Sequence, residues 1–111
     1  MDGIIITNNP KVKEKYSGCF ETVFLEAAGL MEILYSVRDK IHEGHGLLSH
    51  PLSGSVKPGQ TIYKSVMITK EKSELDIESL KITENSIAVA EKLLKDYQLI
   101  DLDLIAGGID R

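Results

Sequence analysis

Tryptophan is absent from this 111-residue chain, and two phenylalanines and four tyrosines are its only aromatic residues. Few aromatic faces are available for stacking on bases. With a net charge of −4 as well, general nucleic-acid binding is not expected. Cysteine occurs once, at Cys19, so an internal disulfide framework is excluded and a reducing, cytoplasmic setting is expected. Lacking a second cysteine, Cys19 reads as a small buried hydrophobe rather than a nucleophile. No apolar run approaches the roughly 20 residues of a membrane span. Met1-Asp2-Gly3-Ile4 places no basic stretch ahead of an apolar one, so neither a transmembrane segment nor a secretory signal is expected. A Gly-x-Ser-x-Gly elbow is missing, which leaves a hydrolase triad without an anchor. A Walker A loop is missing too, so nucleotide hydrolysis is unsupported, and no motif implies a cofactor. The length fits one domain over residues 1–111.

Acidic residues are also missing where they matter most. All 17 carboxylates lie outside residues 44–70. That window holds Lys57, Lys64 and Lys70, hence a formal +3, and leaves −7 on the remaining 84 residues. It also carries four of the nine glycines and two of the three prolines, so it is both basic and turn-rich. An anion entering such a stretch meets no like charge.

The pattern along the chain alternates strands and helices. Ile4-Ile5-Ile6-Thr7 is continuously apolar, as expected of a strand buried on both faces in a parallel sheet. Asn9 is placed to cap a short helix that starts at Pro10 and closes near Gly18. Residues 20–26 are β-branched and aromatic and predict a second strand. Leu30, Ile33, Leu34, Val37 and Ile41 share one face of a helix ended by Gly44. Leu47-Leu48-Ser49 predicts a short third strand stopped by Pro51, and residues 61–69 predict a further one. A long helix is expected from about 76 to 97, with Leu80, Ile87, Ala90, Leu93, Leu94 and Tyr97 on one face. Residues 99–106 predict a last strand or a short helix. The expected fold is therefore α/β, a single domain with a mostly parallel sheet of four to five strands and two main helices.

The densest chemistry lies in residues 42–59. Ser53, Gly54 and Ser55 can turn hydroxyls and backbone N–H groups inward, and Lys57 adds a point charge, so a phosphate or carboxylate site is expected there with His50 beside it. Asn8 and Asn9 follow the first strand, where ligands of α/β sheets collect, and can face the same cleft. Asn9 also has its role as a helix cap. His50 or His45 beside the serine loop can act as general acid or base, which makes an enzyme the second reading. His42, His45 and His50 fall within nine residues, but their spacing lacks the His-x-x-x-His register, and no metal site is expected. His42 in the last helical turn complements the helix dipole. Arg38 and Asp39 read as a surface pair.

Several stretches together resemble one family. Ile6-Thr7-Asn8-Asn9-Pro10, Val37-Arg38-Asp39-Lys40-Ile41-His42-Glu43-Gly44-His45, Leu47-Leu48-Ser49-His50-Pro51-Leu52-Ser53-Gly54-Ser55-Val56-Lys57-Pro58 and Tyr63-Lys64-Ser65 look like the GrdX-like family. Its members are small proteins encoded beside the glycine reductase system of anaerobic amino-acid-fermenting bacteria. The resemblance spans nearly the whole chain. It implies a cytoplasmic accessory protein linked to glycine, sarcosine or betaine reduction, and no catalytic residues. That system generates acetyl phosphate, which suits an anion site. The partners expected are a small anionic metabolite, components of glycine reductase and a second copy of the chain. An assembly or interaction factor for a reductase subunit is the third reading.

Overall fold

The computed structural model describes residues 3–53 and 63–110, with residues from 96 onward described as helical backbone. Three strands and three helices follow in the order β1 (Gly3–Thr7), α1 (Pro10–Tyr16), β2 (Glu21–Phe24), α2 (Leu30–His42), β3 (Ser65–Thr69) and α3 (Ile77–Asp110). The sheet order is β2-β1-β3. β1 and β2 run parallel, pairing Ile4 with Glu21 and Thr7 with Phe24. β3 runs antiparallel to β1, pairing Gly3 with Thr69 and Thr7 with Ser65.

The α/β class stands, but among the described residues the sheet is mixed and three-stranded rather than mostly parallel with four to five strands. Every residue of β1 is buried, as its apolar run requires. Burial on both faces reports the layers above and below a strand, not its neighbours' direction. Ile4 and Ile6 face α2 in a cluster with Ile33, Val37, Ile41, Val66 and Ile68. Ile5 points to the opposite face, where Tyr16 of α1 and Phe20 line a cavity beside it. Leu47-Leu48-Ser49 does lie along the outer edge of β3, yet it forms only one bridge, Leu47 to Ile68. The ladder stops because the Met67 N–H is accepted by the Ser49 hydroxyl at 2.9 Å instead of a backbone carbonyl.

The helices follow their signals more closely. The Asn9 side chain accepts from the Lys11 N–H at 3.0 Å, and Pro10 opens α1, whose first turn has no use for its missing N–H. In α2 the buried residues are Leu30, Ile33, Leu34, Val37 and Ile41, the five that share the apolar face. Each contributes about 1.5–3 kcal/mol on burial. Gly44 follows α2 with φ +111°, and a Cβ there would stand 2.4 Å from the Ser73 carbonyl oxygen. α3 packs on α2 through Leu30, Leu34, Ile87 and Ala90. The buried Thr83 and Ser86 bond back to the carbonyls of Ser79 and Ile82, which satisfies their hydroxyls inside that interface. The tail is neither a strand nor a separate helix: α3 runs without a break to Asp110. Arg38 pairs across the helices with Glu84 at 3.2 Å rather than with Asp39. Cys19 is exposed, contrary to the expected burial, because it sits in the turn between α1 and β2.

Candidate functional site

At one end of the sheet three chain segments converge: the carboxyl ends of β1 and β2 and, because β3 is antiparallel, its amino end. This is the edge where α/β sheets collect ligands. Asn8 ties the three together. Its Nδ2 donates to the Ala28 carbonyl at 2.8 Å, and its Oδ1 accepts from the Lys64 N–H at 2.8 Å. The first bond holds the loop after β2, where Ala27 adopts φ 61°, a left-handed conformation costly for alanine. Thr7 and Ser65 share a hydroxyl hydrogen bond at 2.7 Å beneath it, and Thr7 Oγ1 also accepts from the Asn9 N–H.

Lys64 is the unusual residue of this edge. It is only 4% exposed, as buried as the core valines and isoleucines around it. Its position follows from strand periodicity. Side chains alternate along β3 and its approach, so Lys64 falls on the inward row with Val66 and Ile68. Its Nζ donates to the Ser53 carbonyl at 2.7 Å. Among the described residues no carboxylate lies within salt-bridge distance of it. Residues 54–62 contain no acid either. Burial pushes the Lys64 ammonium below the usual lysine range, because desolvation disfavours its charge.

The residues singled out from the sequence divide into groups. Asn8 and Ser53 meet around Lys64, Asn8 through the backbone N–H and Ser53 through its carbonyl. Asn9 serves as the cap of α1. His50 is exposed, and its Nδ1 accepts from the Leu52 N–H at 3.0 Å, which leaves Nε2 as the proton-bearing atom of the neutral ring. Gly54, Ser55 and Lys57 lie outside the described residues. His45 belongs to the other end of the sheet, buried, with its Nδ1 donating to the Thr69 carbonyl at 2.7 Å. His42 is exposed in the last turn of α2. Among the described residues, no group of three or more metal-ligating side chains comes together.

Two cavities flank Lys64's edge. One of about 320 Å³ is lined by Ser49, Ser53 and Ser65 together with Tyr16, Phe20 and Met67, and among the described residues no charged one lines it. The other, about 280 Å³, lies beside Asn8, Ala27 and Tyr63, and the exposed Glu26 on its rim disfavours an anion there. Lys64, Ser49 and Ser65 are the site residues that motif reading passes over. The signal for Lys64 was the period-2 row it shares with Val66 and Ile68.

The model of the GrdX-like protein family matches residues 4–110. The chain belongs to the GrdX-like protein family. No curated protein and no solved structure gives a significant match. The family match takes in β1 through α3 and so covers the whole Lys64 edge of this GrdX-like protein. No described helix is long and apolar enough to cross a membrane.

Proposed function

We propose that this GrdX-like protein is a small accessory protein of glycine reductase-type amino-acid fermentation that binds a small anion, a phosphate or carboxylate, against Lys64. Family membership supports the metabolic setting. The observation that carries the anion reading is the buried Lys64 ammonium, whose one described acceptor is the Ser53 carbonyl. A carbonyl offers a dipole and not a charge, so the ammonium is only partly compensated for leaving water. An anion supplies the missing charge. Ser53, whose carbonyl holds the ammonium, also lines the 320 Å³ cavity on the Ile5 face of the sheet, and no described carboxylate stands in that cavity's walls. In this reading Ser53, Gly54, Ser55 and Lys57 complete the cradle and His50 borders it. Three lysines in an acid-free window suit a single small anion far better than a polyanion.

Thermal unfolding in phosphate, sulfate and acetate, against chloride at matched ionic strength, tests the proposal. Saturating ligand is expected to raise Tm by about 5 °C or more. No shift at millimolar concentrations of any of the three would overturn it, and co-purification with a reductase component in that case would favour an assembly factor.

A further inference from the structure

The opposite end of the sheet holds a larger cleft, of about 690 Å³, within the usual range for small-molecule sites. Phe20, Leu48 and Met67 give it an apolar lining. Leu48 stays 55% exposed there, an unusual state for a leucine beside a strand. Gly3 and Gly46 border the same space, and neither projects a side chain into it.

Its polar rim is acidic. Glu71 and Asp76 both line it, and the one cation on the rim among the described residues, Lys72, is directed to Glu43 at 3.4 Å. Asp76 is held in place from two sides. Its Oδ2 accepts the Ser79 hydroxyl at 2.7 Å and its Oδ1 the Glu78 N–H at 3.2 Å, at the start of α3. Ser79 Oγ in turn accepts the Leu47 N–H at 3.0 Å, which fixes the cleft wall to α3. The Ser79 bond holds the Asp76 carboxyl below the usual carboxylate range, so it is ionised at neutral pH. Each carboxylate oxygen keeps a lone pair for a further donor.

We propose that this cleft binds a small amphiphilic amine, with its ammonium at Asp76 and Glu71 and its apolar body over Met67, Leu48 and Phe20. Charge complementarity selects the occupant: an anion would face two carboxylates, and a neutral apolar molecule would leave them unanswered. The acidic rim is set apart from the Lys64 edge, since Ser65 and Thr69 stand at opposite ends of β3, about 13 Å apart in extended chain, while Phe20 and Met67 form a wall shared with the 320 Å³ cavity. The two ends of one sheet therefore favour ligands of opposite sign.

Titration of the ¹⁵N-labelled protein with 2-phenylethylamine, followed by amide chemical shifts, tests this. 2-Phenylethanol and 3-phenylpropionate serve as neutral and anionic controls. The amine is expected to move the amides of residues 46–48 and 67–73 at millimolar concentrations and the controls are not. A Glu71→Gln, Asp76→Asn double variant is expected to weaken the amine about fivefold. Asparagine is as good a helix cap as aspartate, so that variant should keep its fold, and its Tm checks this. Equal shifts with the alcohol or the acid would overturn the proposal, as would no shift with the amine. So would movement of the same amides with protein concentration alone, which would put a second copy in the cleft.

Discussion

The Lys64 ammonium donates to the Ser53 carbonyl over 2.7 Å, tying the approach of β3 to the loop that follows Pro51. That bond buries a cation among Val66, Ile68 and the residues around them with no described carboxylate to answer it.

If the charge of Lys64 recruits the anion, its removal at constant bulk must abolish the response. Lys64→Met is expected to eliminate the phosphate-dependent rise in Tm. Without phosphate the variant should match or exceed the wild type in stability, since a poorly compensated buried charge is replaced by a thioether. Differential scanning fluorimetry with and without phosphate reads both effects. Lys57→Ala should weaken the same response.

The pH dependence has a definite sign. The folded-state pKa of Lys64 lies below its unfolded value, so between the two the unfolded chain binds more protons. Stability of the wild type should therefore rise relative to Lys64→Met as pH climbs through the folded pKa toward the ordinary lysine value of 10.5. Anion binding should fade over the same interval, because the neutral amine no longer attracts it. Urea unfolding and phosphate titration across pH 7 to about 10.5 check both trends.

Gly44 joins α2 to the rest of the domain with φ +111°, and a methyl there meets the Ser73 carbonyl oxygen at 2.4 Å. Gly44→Ala is expected to cost on the order of 3 kcal/mol, from a forbidden conformation plus a backbone clash. Gly18→Ala, which has open space around the added carbon, provides the benign comparison. Chemical denaturation separates the two.

Packing and ion pairing between α2 and α3 should differ sharply in weight. Leu34 is fully buried against Leu30, Ile87 and Ala90, so Leu34→Ala is expected to cost about 2–5 kcal/mol. Arg38 and Glu84 form a partly exposed pair at 3.2 Å, so Arg38→Ala should cost about 1 kcal/mol or less.

Ser79 stitches the start of α3 to the segment beside β3, donating to Asp76 and accepting from Leu47. Ser79→Ala is expected to cost about 1–2 kcal/mol, because the Leu47 N–H loses its acceptor. In the variant, the Asp76 carboxyl should titrate closer to its ordinary value in an NMR pH titration.

The local elements were legible because their causes are local. Asn9 and Pro10 start α1, five apolar residues at helical spacing set the buried face of α2, and Gly44 ends it. Strand direction was not legible. Ile4, Ile5 and Ile6 are buried on both faces whether their neighbours run parallel or antiparallel, and a hydroxyl from Ser49 was enough to stop a predicted strand. The role of Asn8 was hidden for another reason. Its partners Ala28 and Lys64 lie 20 and 56 residues away, beyond the reach of any local pattern. Lys64 was partly legible, since it sits on the inward row of a β-prone run. The glycine and serine content of the preceding loop drew the chemical reading toward Ser53, Gly54, Ser55 and Lys57 instead. Of that set, Ser53 is the residue the described structure brings to Lys64.

The most direct test of the account is the titration of Lys64 itself, followed through its ¹³Cε resonance with and without phosphate. In chloride alone the pKa should lie below 10.5. A bound anion stabilises the ammonium, so phosphate should raise that pKa in the wild type. An identical Lys64 pKa in phosphate and in chloride would contradict the claim that this buried cation is the centre of an anion site.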